Sequence, residues 1–212
     1  MRTRKDGEET RRNILTAACR VFSEKGFHEA THAEICRLAG VNNAAINYHF
    51  DGKEELYRAV WKHTIELMHD LYPVDADDAH GLSGEEKLLG FVTTLLRKMT
   101  DHSQLGWSHR LHLQEISHPT GMIDDLLKKS RMPYQQYLLS IIRELLGDKA
   151  TNDAVRYCEK SIVGQVRTFR FGLNDAPQRN WKRLSEKQLR MAAEHITRFS
   201  LAGIDATRRA IG

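Results

Sequence analysis

Apolar residues recur at intervals of three and four along nearly the whole chain, while two-residue alternation is almost absent. That pattern points to an all-α fold. Ile14, Leu15, Ala18, Val21 and Phe22 form the first stripe, which stops at Gly26. Helix starts are marked by Thr31-x-x-Glu34, Asp51-x-x-Glu54, Ser83-x-x-Glu86 and Ser185-x-x-Gln188, read as capping boxes or their aspartate analogue. In each, a side-chain oxygen satisfies an orphan amide of the first turn and the acidic or amide partner reaches back. The spacing predicts helices over 9–25, 32–39, 43–49, 53–71, 84–101, 105–117, 120–130, 132–147, 152–172 and 186–211.

A length of 212 residues suits one or two domains with a sizeable core. No stretch has the length and apolarity of a membrane span. The basic start "MRTRKDGEET" has no apolar segment behind it, so no secretory signal is expected. Cys19, Cys36 and Cys158 match neither a disulfide framework nor a zinc site, and a reducing, cytoplasmic setting is expected. The net charge of +4 suggests nucleic acid, yet residues 1–72 hold 11 basic and 11 acidic side chains and the surplus lies beyond them. Bulk charge therefore does not locate a DNA-binding face. Pro73 and the acidic "VDADDAHGLSG" break the chain into a smaller N-terminal and a larger C-terminal part.

The N-terminal part contains a helix barely two turns long between "LAGV" and "DGK". A helix that short is marginal unless its neighbours hold it. At about 100° per residue, Ile46 and Phe50 face one way, towards Val41, Ile35 and Leu38, and Asn43, Ala44, Asn47 and Tyr48 face the other. Helix, tight glycine turn and short helix make a helix-turn-helix, whose second helix enters the DNA major groove. An Asn amide pairs with adenine and a small Ala touches a thymine methyl. Tyr48, His49 and Lys53 suit phosphates, which set register.

"AEICRLAGVNNAAINYHFDGKEELYRAV" is similar to the DNA-binding signature of the TetR family of transcriptional regulators, with its Ala-Gly-Val turn, Tyr/His-Phe ending and Lys-Glu-x-Leu. The resemblance covers residues 9–60. It implies DNA contacts at Thr31, His32, Asn43, Ala44, Ala45, Asn47, Tyr48, His49 and Lys53. Position 47 departs from many members, which carry Tyr or Trp there, so base preference does not transfer. "EISHPTGMIDDLLKKSRMPYQQYLLSIIRELLG" and "SIVGQVRTFRFGLNDAPQRNW" resemble the C-terminal domain of the CecR-like (YbiH-like) branch. That implies a helical ligand-sensing and dimerisation domain over 61–212 beside a DNA-binding domain over 1–60.

Two stripes suit a dimer: Val155, Cys158, Ile162, Val166 and Phe169, then Leu189, Ala192, Ile196, Phe199 and Gly203. His109, His112, Glu115 and His118, spaced by three, could line a helix face and read as metal ligands, as hydrogen-bonded walls of a pocket or as a solvated edge. Arg167 and Arg170 read as contacts to an anionic ligand, as partners of Glu115 or Asp124, or as interface residues. Met68, Trp107, Met122, Met132, Tyr134 and Tyr137 suit an adaptable pocket or plain core packing. The expected ligand residues are Trp107, His112, Glu115, Met122, Tyr137, Arg167 and Arg170, with no metal, no cofactor and no catalytic residue. The expected protein is a ligand-released repressor and not an enzyme: a homodimer on a palindromic double-stranded DNA operator, with a small organic effector and no membrane partner. The rival classes are a metal-dependent helical enzyme using the His109/His112/Glu115/His118 cluster and a helical interaction module.

Overall fold

The computed structural model describes residues 3–74, 81–100, 106–169 and 184–211, all helix and connecting turns. The described helices are α1 (Thr3–Glu29), α2 (His32–Ala39), α3 (Asn43–Phe50), α4 (Lys53–Leu71), α5 (Gly84–Thr100), α6 (Gly106–Ser117), α7 (Asp124–Leu146), α8 (Asn152–Phe169) and α9 (Glu186–Ile211). No helix among the described residues is long and apolar enough to cross a membrane. The acidic segment at 75–80 and all of "RFGLNDAPQRNW" lie outside the described residues.

The chain forms two compact units. The first comprises Met1–Leu71 and His102–Ser130, the second Tyr72–Asp101 and Arg131–Gly212. The helix-turn-helix thus shares its core with α6 and the first turns of α7. Ile14, Ala18 and Phe22 of α1, Ile35 of α2, Ile46 of α3, Leu56 and Tyr57 of α4, Leu111 of α6 and Ile123 make this core. Each of the large aliphatic side chains and Phe22 among them contributes roughly 1.5–3 kcal/mol on leaving water. The second core joins Leu88, Val92 and Leu96 of α5, Leu138 and Ile142 of α7, Val155 and Ile162 of α8, and Ala193 and Ile196 of α9.

Caps follow the sequence in three places. Ser83 and Glu86 exchange bonds of 3.3 and 2.8 Å, and Ser185 and Gln188 bonds of 3.2 and 3.0 Å. Thr31 is the N-cap of α2 and its Oγ1 accepts from the Glu34 amide at 3.3 Å. Asp51 is a correction. It sits in the left-handed region at φ 53°, ψ 32° and closes α3, its N–H donating to the Asn47 carbonyl. An N-cap needs extended backbone, so Asp51 cannot serve both helices; the Leu56 N–H instead bonds the Gly52 carbonyl to open α4.

A second correction concerns the separate helices expected over 120–130 and 132–147, which are one helix carrying Pro133 in its interior. Proline removes the bond to the carbonyl four residues back, here Lys129. Both residues are exposed, so that carbonyl can be solvated and the helix continues. The stripe expected along α9 also divides. Leu189, Ala192 and Ile196 are buried within the second unit, whereas Phe199 is 64% exposed and Gly203 is exposed.

Gly26 interrupts α1 at φ 74°, ψ 179°, a region open only to glycine. A Cβ there would also lie 3.2 Å from Gln114 Oε1. Gly26→Ala is therefore expected to lower stability by about 1–3 kcal/mol, read as a reduced urea midpoint at constant slope. An unchanged midpoint would mean that the kink relaxes without loss.

Candidate nucleic-acid interface

The recognition helix is fastened at both ends and on one face. Asn42 caps it, its Oδ1 accepting from the Ala45 amide at 3.0 Å, and Asp51 closes it. Ile46 and Phe50 are buried beneath. The Arg11 guanidinium lies 5.0 Å from the Phe50 ring centroid, which ties α1 to the last turn of α3. Gly40 makes the turn from α2 at φ 67°, ψ 32°, its N–H bonding the Cys36 carbonyl.

What remains outward is polar. Asn43, Ala44 and Asn47 are exposed, and Tyr48 is 85% exposed. The structure therefore groups four of the expected contact residues on one free face. Ala45 differs, being packed partly against the first core. His49 is half-buried, its ring edge-on to Tyr48 at 5.0 Å.

The flanking residues are partly engaged already. Thr31 Oγ1 accepts the Glu34 amide and donates to Glu34 Oε2 at 3.2 Å. The Glu34 carboxyl is held below its ordinary range, first by its hydrogen bond from Lys25. His32 is half-buried, and its Nε2 has no hydrogen-bond partner among the described residues. Lys53 donates to the His28 carbonyl at 3.4 Å and stands 4.6 Å from the Phe27 ring centroid. Partial burial pushes its ammonium down from the ordinary lysine value.

Behind this face lies an arrangement that local sequence patterns do not mark. The Tyr57 hydroxyl of α4 donates to Glu115 Oε2 of α6 at 2.8 Å, across a separation of 58 positions. Glu115 is 4% exposed, and its Oε1 accepts from the Thr120 amide and hydroxyl at 2.8 and 2.9 Å. Burial pushes the Tyr57 phenol far above its ordinary value and the facing carboxylate adds to the effect, so the hydroxyl stays a donor. Next to it, Arg58 grips the Met122 carbonyl and forks onto Asp125 at 3.3 and 3.2 Å. The Asp125 carboxyl lies below its ordinary range because of that guanidinium.

The expected ligand residues divide between the units. Trp107, His112, Glu115 and Met122 belong to the first, Tyr137 and Arg167 to the second. Arg167 is exposed, Arg170 lies outside the described residues, and Met132 is 43% exposed. The helix-face reading of the histidine cluster fails on geometry. His112 lies within α6, whereas His118 falls beyond the last residue of that helix, Ser117, so the cluster does not line one helix face. His112 is half-buried beside the Trp61 ring, 5.8 Å between centroids, whereas His118 is exposed. The side chain of His109 lies outside those described. Both Glu115 oxygens are occupied, and no group of three metal-ligating residues occurs among the described residues.

A short, rigidly held helix with a free amide face, behind a glycine turn, defines a helix-turn-helix regulator. Residues 14–60 match the family described as bacterial regulatory proteins, tetR family, and residues 84–204 match the C-terminal domain of the HTH-type transcriptional dual regulator CecR. The chain belongs to the TetR family of transcriptional regulators and carries the CecR-type C-terminal domain. CecR of Shigella flexneri is 23% identical over 90% of this chain and 89% of its own. The regulator SrpR of Pseudomonas putida is 29% identical over 67% of this chain and 63% of its own. In fold, the chain resembles the regulator FadR of Bacillus subtilis in complex with stearoyl-CoA, with TM-score 0.61, 18% identity, and coverage of 91% and 98%. It is a helix-turn-helix DNA-binding transcription regulator.

Tyr57→Phe is expected to lower stability by about 1–3 kcal/mol, because a buried Glu115 oxygen loses its donor. Urea unfolding followed by circular dichroism reads the change. Unaltered stability would show that Thr120 alone suffices to hold Glu115.

Proposed function

We propose that this regulator is a cytoplasmic homodimer that represses transcription from a palindromic operator and is released by a small organic effector. Residues 1–60 form its DNA-binding domain and residues 61–212 its sensing and dimerisation domain. The observation that carries the reading is the free face of α3, with Asn43 and Asn47 one turn apart above a buried Ile46 and Phe50. Asn47 and Asn43 read base edges, Ala44 meets a thymine methyl with the partly packed Ala45 at the rim of that contact, and Thr31, His32, Tyr48, His49 and Lys53 set register on phosphates. One helix of this length reads few bases, so two copies on two half-sites are required.

The outer faces of α8 and α9 support the dimer. Tyr157 at 74% exposed, Ser161, Gly164 and Thr168 lie along one helix face; Met191, His195, Phe199 and Ala202 lie along the other. Small residues among apolar ones allow close helix approach. A two-fold axis there would bury the exposed aromatics against their own copies. Release follows if the effector binds better to the conformer whose recognition helices are wrongly spaced for the operator. The stearoyl-CoA in the FadR structure supports an organic effector of this kind. An enzymatic reading is not favoured, since Glu115, its candidate base, is spent on Tyr57 and Thr120.

Selection of genomic fragments by the purified protein, followed by gel shift, is expected to return inverted repeats. Recovery of random DNA would overturn the reading. Asn47→Ala is expected to relax base preference by about 1–3 kcal/mol with little loss of non-specific affinity. Lys53→Ala is expected to reduce the salt slope by about one phosphate contact per half-site while keeping specificity. The reverse pattern in gel shifts would exchange the two roles. Phe199→Glu is expected to yield a monomer in sedimentation, because paired charges would be buried at the seam. A persistent dimer would place the interface elsewhere.

A further inference from the structure

Lys98 stands in the last turn of α5, its Nζ 3.9 Å from the centroid of the Tyr134 ring on α7. Leu95 and Met99 beside it, and Tyr134 and Tyr137 opposite, are partly buried against the second core. Neighbours of Lys98 on α5 have acceptor oxygens: Lys87 pairs with Glu144 at 2.8 Å and Arg97 with Glu186 at 3.3 Å. Lys98 has no ion pair among the described residues. The Tyr134 hydroxyl offers it nothing, since it donates to the Tyr72 carbonyl at 2.6 Å. Desolvation is heavy enough to push the ammonium down to about 8.

The end of a helix and the face of a ring both favour a cation here. Neither fills the ammonium's hydrogen-bonding capacity, for all three donors lack an acceptor oxygen among the described residues. With no anionic partner among the described residues, a charge so placed is costly, and an anion beside it would offset that cost. We propose that Lys98 is the anion-recognition point of the effector site, taking the carboxylate of an amphiphilic organic anion whose apolar body lies along Leu95, Met99, Tyr134 and Tyr137. This rests on the reading that the larger domain senses an effector. A cationic effector is disfavoured because Lys98 already occupies the Tyr134 face. A bare inorganic anion is disfavoured because the apolar neighbours would leave its remaining oxygens without donors.

Decanoate and decanol, which share a chain and differ in charge, test the inference by calorimetric titration of the full-length protein. Wild type is expected to bind decanoate at least tenfold more tightly than decanol. Lys98→Met is expected to lose that preference while keeping decanol affinity, and Lys98→Arg to retain it. Without ligand, Lys98→Met is expected to melt no lower than wild type, whereas a purely structural cation over Tyr134 would make it melt lower. Equal binding of the two probes by wild type, binding of neither, or a preserved preference in Lys98→Met overturns the inference. Gel shift of the wild type on selected DNA separates the two readings. Retardation without decanoate preference sinks this inference alone, and decanoate preference without retardation sinks the operator reading alone.

Discussion

Tyr57 meets two opposite demands in one side chain. Its ring is 1% exposed, edge-on to Phe22 at 4.9 Å and tilted against Phe27 at 5.1 Å, and so belongs to the core beneath the helix-turn-helix. Its hydroxyl must find a partner inside that core, and it finds Glu115. The carboxylate in turn needs Thr120 to occupy its second oxygen. An apolar ring and a fully satisfied polar end together fix the spacing of α1, α4 and α6 more tightly than apolar contact alone, because hydrogen bonds are directional.

The recognition helix depends on that fixed frame. A helix of eight residues has too few internal bonds to persist alone. It is held by the Asn42 cap, the Asp51 closure, the Arg11–Phe50 contact and two buried side chains, all of which act on its inner side and ends. The amide face carries no structural duty, so it is free for base edges. Lys53 is different, since it already braces the His28 carbonyl and the Phe27 ring. A phosphate contact there would be added to a side chain that is oriented in advance, which reduces the entropy lost on binding.

The second unit separates its inward and outward chemistry along α9. Leu189, Ala193 and Ile196 close the core, while Met191, His195 and Phe199 lie outside it, the last two rings stacked at 6.3 Å. Two of its charged groups meet neutral partners. Glu159, 8% exposed, accepts from Gln135 at 2.8 Å, and Lys98 rests on an aromatic face. An amide and a ring hold ions loosely compared with an opposite charge, which leaves such groups responsive to what binds beside them.

Sequence alone determined the all-helical class, the helix-turn-helix and most helix limits, because periodicity, caps and the glycine turn act within a few residues. Asn43, Asn47 and Tyr48 were legible as an outward face for the same reason: helical spacing from Ile46 and Phe50 decides it. Where two local rules competed, the sequence was ambiguous. Asp51 reads as a cap for the helix after it, but the corner between α3 and α4 is so tight that the same residue must close the helix before it. The break expected at 131 stands just before Pro133, yet Lys129, whose carbonyl loses its helical donor, is exposed and the helix runs through. Only the tertiary structure decided that Glu115 meets Tyr57, that Arg58 reaches Asp125, and that Lys98 lies on the Tyr134 ring. Those contacts join residues far apart in the chain, and their partners are chosen by how helices pack rather than by spacing along any one of them.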